Sequence, residues 1–403
     1  MARALAEAMQ VDSVRGPNGV QDVSLRRLGH RASLDGIRAL AIIGVIGLHT
    51  YPRVFPGGFF GVDIFFVLSA FLITSLVIQE RDERGGFDFR AFYWRRAFRL
   101  GPALLIWLAL IAPLTSLALH QASSVPLSTA ASLFYFIDFA LAGGAKIGTA
   151  YGHAWSLSVE EQFYLLWPCV LVFFLLAKSA ATQRRMLLIG VEVAVVVMAV
   201  SGGVFGRGNY YLPTGHIVPL AVGCLAAFLF MRGGGARLER ALSARLVGPA
   251  CLALLAFAIA AYGSGVGDQE GTPLAFAVAA ITAALLLHLC LRPTGSAHTL
   301  LSSRPAVWLG RRSYGLYLYS RTFTILTLVL LPGASVGLAL PLSIAISLAV
   351  AELSYRFVER PVNQAGRAWL LNKRRPAPKS SVPARAPVAQ AERLPAAGLV
   401  LRP

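Results

Sequence analysis

Charged residues are scarce in this chain. Asp, Glu, Lys and Arg make up 14% of its 403 residues, whereas 56% are hydrophobic; a soluble domain carries about 25% charged residues. That shortage excludes a soluble fold, which has no place to hide so much apolar surface. Acidic residues are the rarer sign: 19 stand against 37 Lys and Arg, for a net charge of +18. In a soluble protein such an excess would suggest nucleic acid. Here Lys and Arg fall in short segments between apolar runs, the pattern of cytoplasmic loops, so the expected partners are membrane lipids or an anionic cofactor and not nucleic acid. Cysteine is nearly missing. Cys169, Cys224, Cys251 and Cys290 lie in or beside apolar runs without CxxC spacing, and neither a disulfide nor a metal site is expected. Residues 1–33 are polar and basic and lack the order of charged start, apolar centre and cleavage site that marks a signal peptide. No internal repeat is visible.

What is abundant is long apolar runs. A crossing helix needs about 20 mostly apolar residues, and placing the basic N-terminal segment in the cytoplasm gives crossings at 35–51, 58–79 and 101–120. The inner segment between the second and third holds six arginines: Arg81, Arg84, Arg90, Arg95, Arg96 and Arg99. Two runs, 126–142 and 157–177, precede the next basic loop at Lys178, Arg184 and Arg185. For that loop to be inside, one run must not cross. The short stretch 126–142, which contains Asp138, is expected to be a half-span lining a protein cavity. Further crossings follow at 186–205, 210–231, 246–264, 271–291, 313–332 and 336–357, with Asp268 and Glu270 in an outer loop. The expectation is an all-α polytopic membrane helix bundle of about ten transmembrane helices plus the half-span, with both termini cytoplasmic. It divides into an N-terminal tail, 1–33, a membrane domain, 34–361, and a disordered Pro-, Ala- and Arg-rich tail, 362–403.

Ionisable residues inside crossings mark candidate sites, because each costs several kcal/mol to bury (about 2.5–3.5 on insertion scales). Arg38 and His49 stand eleven residues apart in the first crossing. That is close to three turns, so they share a helix face about 16 Å apart along the axis. Asp63, in the second crossing, lies at a depth similar to His49 and suits the role of a carboxylate that orients an imidazole; capping the helix start near Gly61 is the plainer role. Arg95, Arg96 and Arg99 cluster on one helical face among aromatic residues. Their forks match phosphate oxygens, either of lipids or of a nucleotide-like cofactor. The segment from His153 to Glu161 brings two adjacent carboxylates to the mouth of a crossing, where they serve a polar cavity or begin a helix capped by Ser156 or Ser158.

The chain resembles the membrane acyltransferase-3 family, bacterial proteins that O-acylate glycans and other hydroxyl-bearing acceptors. The resemblance covers about residues 34–361 and rests on six blocks in order. They are Leu34-Asp35-Gly36-Ile37-Arg38 with His49, Gly61 to Ile73, Phe92 to Pro102, Trp155 to Tyr164, Ser313 to Leu318, and Glu359-Arg360-Pro361. Ala70 stands where relatives have a second Gly, His216 where they usually have Arg, and Tyr319-Ser320 where they often have Trp-His. The resemblance implies an acyl-CoA donor, by default acetyl-CoA, on the cytoplasmic side, and no metal. In that reading Arg95, Arg96 and Arg99 hold the phosphates and Arg38 guides the pantetheine arm. His49 is the general base, and Asp63 or Glu160 orients it. Trp155, Ser156, His153, His216 and Arg321 shape the acceptor side, with Glu352 or an anionic acceptor group as partner for Arg321. The implied acceptor is a carbohydrate, a lipid-linked glycan or a glycosylated small molecule. Some members carry an additional soluble domain after the membrane part, and 362–403 is too short to supply one. A competing class, a transporter of an anionic or lipid-linked substrate, accounts equally for the crossings but not for the arginine cluster beside a His–carboxylate set.

Overall fold

A computed structural model of the chain describes residues 27–261 and 273–373, and every regular element among them is helical. The principal helices are α1 (Ala32–Thr50), α2 (Phe60–Arg84), α3 (Phe89–Pro113), α4 (Val125–Leu133), α5 (Ile137–Ala142), α6 (Trp155–Val170), α7 (Ala180–Phe205) and α8 (Ile217–Arg232). They continue with α9 (Ala236–Leu242), α10 (Val247–Ala261), α11 (Pro273–Leu291), α12 (Ser296–Leu301), α13 (Arg304–Arg311), α14 (Ser313–Leu330), α15 (Val336–Ser354) and α16 (Arg360–Lys373). Eight are long and apolar enough to cross a membrane, and a ninth if α9 and α10, bent by 63°, are one broken span. Each of the ten expected crossings coincides with a helix, but α14 is outside this set. It carries Arg321 among tyrosines and hydroxyl residues, which lower its apolarity.

The stretch 126–142 forms two short helices, α4 and α5, of nine and six residues. Neither reaches across about 30 Å of hydrocarbon at 1.5 Å per residue. The break falls at Tyr135, whose φ is +56°. It is held by Gln162 of α6, which donates to the Tyr135 carbonyl at 2.9 Å and to both oxygens of the buried Asp138 at 3.1 and 2.9 Å. Two longer helices change pitch behind a proline: Pro113 and Pro168 are followed by π-helical turns at Leu114–Ala118 and Leu171–Leu175. A proline removes one ladder donor and crowds the preceding turn, and a wider turn relieves that crowding.

Helix α2 is the axis of the bundle. Most of its residues are buried, whereas α7 exposes Val193, Val196, Val200 and Val204, as a lipid-facing helix does. Against α2 lie α8, α1 and α11. The α2–α8 approach is close enough that a side chain at Gly223 would run into the Val67 carbonyl. Residues 362–373, expected to be unstructured tail, belong instead to α16. Its Trp369 packs on Trp94 and Phe98 of α3, with ring centroids 5.6 and 5.9 Å apart. That aromatic contact gives the segment something to bury, which its composition alone did not reveal. The tails 1–26 and 374–403, and the loop with Asp268 and Glu270, lie outside the described residues.

Candidate active site

Helix α2 ends at Gly85, whose φ of +72° suits glycine. Asp88 then caps α3 by accepting the Ala91 N–H at 2.9 Å. This tight reversal lays the basic start of α3 beside the acidic end of α2. Arg84 and Arg95 both reach Glu80, at 3.0 and 3.4 Å. Arg96 reaches across to Glu161 of α6 at 3.0 Å and lies 3.1 Å over the Tyr164 ring. Among these helices opens a cavity of about 490 Å³, lined in part by Arg38, Arg95, Arg96, Arg99, Arg367 and Glu160. Arg95 and Arg96 are thus engaged with carboxylates. Arg38 and Arg99 form no ion pair among the described residues. Two guanidinium forks without a direct ion pair in one cavity suit an anion with several oxygens, such as a phosphate. Glu160 forms part of the wall, accepting hydrogen bonds from the Ser69 and Tyr164 hydroxyls.

A second cavity, of about 410 Å³, lies toward the Thr50 end of α1 and is lined in part by His49, His153, Trp155, Tyr210, Tyr211 and Arg321. His153 sits in the 3-10 turn Gly152–Ala154 that leads into α6. Its ring meets His49 edge-on at 6.5 Å and packs on Trp107 at 5.3 Å. Trp107 is itself anchored by donating to the Thr322 hydroxyl at 3.0 Å. Three buried nitrogens around this cavity have no protein partner among the described residues: His49 Nδ1, His153 Nδ1 and Arg321 Nε. Arg321 donates only through Nη2, to the Thr149 carbonyl at 3.3 Å. The arginine cavity and the histidine cavity share two lining residues, Val62 and Tyr317.

The expected pairings are rearranged. Asp63 hydrogen-bonds His216 Nδ1 at 2.9 Å, not His49, and His216 Nε2 lies 2.9 Å from the Tyr210 carbonyl. Both ring nitrogens therefore have a polar partner, and the imidazole is held from two sides. It also stacks on Trp155 at 4.8 Å, so the Asp63–His216 pair props a wall of the histidine cavity. Glu160 belongs to the arginine cavity, on Ser69 and Tyr164. Glu352 pairs with Arg312 and not with Arg321. Ser156 lines the arginine cavity, where its hydroxyl meets that of Tyr317 at 2.6 Å. The sequence reading did not assign Val62, Tyr317, Asn363 or Arg367, all of which line a cavity. Tyr317 stands within a recognised block; Asn363 and Arg367 have no such signal, and only the docking of α16 brings them to the site.

Long apolar helices around two cavities define a multi-pass membrane protein. The chain belongs to the acyltransferase-3 family, whose sequence profile, described as an acyltransferase domain, it matches over residues 31–355. It is similar to a putative peptidoglycan O-acetyltransferase, YrhL, of Bacillus subtilis, at 34% identity over 83% of this chain and 55% of the relative. The O-acetyltransferase OatA of Staphylococcus aureus is 29% identical over 83% of this chain and 57% of its own length. The peptidoglycan O-acetyltransferase OatA of Listeria monocytogenes is 29% identical over 83% and 56%. The chain thus spans a little over half the length of these curated relatives. No solved structure matches.

Proposed function

We propose that this protein transfers an acetyl group from acetyl-CoA to a hydroxyl of a cell-wall carbohydrate, the glycan of peptidoglycan being the acceptor its relatives' names point to. The donor enters from the cytoplasm, where both ends of the chain also lie, and the acceptor meets it from the opposite side. The observation that carries this reading is the placement of Arg38 and His49 on one helix, each lining one of two cavities that meet at Val62 and Tyr317. Arg38 and Arg99, with Arg95, Arg96 and Arg367 around them, hold the phosphates of the donor. The thioester points toward His49.

His49 acts as the general base. It takes the proton of the acceptor hydroxyl as that oxygen attacks the thioester carbonyl carbon. The new C–O bond forms, the C–S bond breaks, and the departing thiolate recovers the proton from His49. His49 has no carboxylate partner among its described neighbours, so its orientation depends on packing against His153, which Trp107 and the Leu318 carbonyl hold in turn (3.3 Å from His153 Nε2). Asp63 and His216 act as positioning residues through Trp155. Arg321 faces the acceptor side with an unpartnered Nε.

The test is acetyl release and transfer by the purified protein in proteoliposomes. Wild type is expected to consume acetyl-CoA and to O-acetylate a peptidoglycan glycan, read by mass spectrometry. A correctly folded His49→Ala protein that acetylates at the wild-type rate would remove His49 from the chemistry. A transporter would move its substrate without consuming any thioester.

A further inference from the structure

Val62 and Tyr317 line both the arginine cavity and the histidine cavity, and we propose that these two side chains form a waist between the cavities that selects the length of the acyl group. The proposal rests on the reading above, in which the thioester lies in the arginine cavity and His49 in the other. Of the residues lining each cavity, Val62 and Tyr317 are the two common to both. An acyl carbonyl held by a donor in the first cavity reaches His49 only past these two side chains.

Both sides of the waist are rigid. The Tyr317 hydroxyl donates to the His153 carbonyl and accepts from the Ser156 hydroxyl. Its ring rests on the His153 imidazole at 5.5 Å. The phenol is therefore pinned by two groups from the start of α6 and does not rotate without breaking both bonds. Val62 has no polar tether, but its backbone cannot retreat. The neighbouring Gly61 packs so close to α1 that a Cβ there would collide with the Ala41 carbonyl and press on Val45 at 2.9 Å. One turn earlier, a Cβ at Gly58 would collide with the Gly44 carbonyl and meet Leu48 at 2.8 Å. The α1–α2 separation is thus set by backbone contact, and the width of the waist is decided by the size of the side chain at position 62. A branched, stiff Val leaves few rotamers with which to adapt.

A rigid steric limit of this kind discriminates one methylene by about 10- to 200-fold. Extra carbons must either displace a side chain that is fixed or distort the packing around it. The chain-length limit therefore lies in the passage to His49 and not in donor affinity, because the phosphates are held some distance away in the arginine cavity.

The experiment compares kcat/KM for acetyl-, propionyl- and butyryl-CoA in the full-length protein reconstituted in liposomes, with donor binding measured separately. Wild type should prefer acetyl to propionyl by at least about tenfold. Val62→Ala should shift that ratio toward propionyl by about tenfold, with the affinity for all three donors unchanged. Val62→Ile, which keeps an apolar, branched side chain, should instead slow acetyl transfer while donor binding persists. An active Val62→Ala protein with the wild-type ratio, or a Val62→Ile protein that transfers acetyl at the wild-type rate, overturns the waist while leaving the donor reading in place. A wild-type protein that turns over none of the three donors overturns both.

Discussion

The Asp63–His216 contact allows a quantitative test of how this site is held together. The two side chains are 6% and 9% exposed and approach to 2.9 Å, so solvent and salt screen them little. A neutral hydrogen bond between membrane helices contributes about 0.6 kcal/mol in double-mutant cycles, with a maximum near 1.7. A bond to a charged group contributes about 1.5–3 kcal/mol. The second nitrogen of His216 also meets a carbonyl, and an ion pair with Asp63 corresponds to the larger figure. The cycle of Asp63→Ala, His216→Ala and the double variant should therefore show a coupling of about 1.5–3 kcal/mol, a factor of about 10–150 in the unfolding equilibrium. Unfolding in mixed micelles with increasing sodium dodecyl sulfate, followed by tryptophan fluorescence, is a direct readout, since Trp155 stacks on His216. His216→Arg, which places a permanent cation beside Asp63, should retain most of the stability and activity that His216→Gln loses. A coupling below about 1 kcal/mol, or equal behaviour of the Arg and Gln variants, would refute an ion pair here.

His49→Gln should lower acetyl transfer by about 10²–10⁴-fold while leaving acetyl-CoA affinity intact, the signature of a lost general base; calorimetry of donor binding beside a turnover assay separates the two. Arg99→Ala and Arg38→Ala should weaken donor binding and reduce its salt dependence, because neither guanidinium group is tied up in a direct ion pair among the described residues, and a donor affinity indifferent to both changes would argue against a phosphate site. Arg367→Gln should weaken donor binding in the same direction if α16 closes that cavity. Glu161→Gln should destabilise the fold by about 1.5–3 kcal/mol, since it removes the charge from the partner of an Arg96 side chain that is only 14% exposed; a thermal midpoint within a degree of wild type would contradict that pairing.

Hydropathy and the distribution of Lys and Arg located the helices, because the bilayer demands about 20 apolar residues per crossing whatever the packing. The short run 126–142 was readable as a non-crossing piece from its length and its Asp138. Spacing along α1 set Arg38 and His49 on one face, since helix pitch is the same everywhere. The motif order carried the family. Tertiary structure decided the partners. Depth along neighbouring helices suggested Asp63 or Glu160 for His49, but depth says nothing about rotation around each axis. That rotation is set by close contacts such as Gly61 on Ala41 and Gly223 on Val67, and it turns Asp63 to His216 and Glu160 to Ser69 and Tyr164. The same holds for α16: composition described a polar tail, and only the meeting of Trp369 with Trp94 and Phe98 shows a helix that brings Arg367 to the arginine cavity. Outside α16, local physics sufficed for what each described segment is; which side chains meet depended on contacts between segments far apart in the chain.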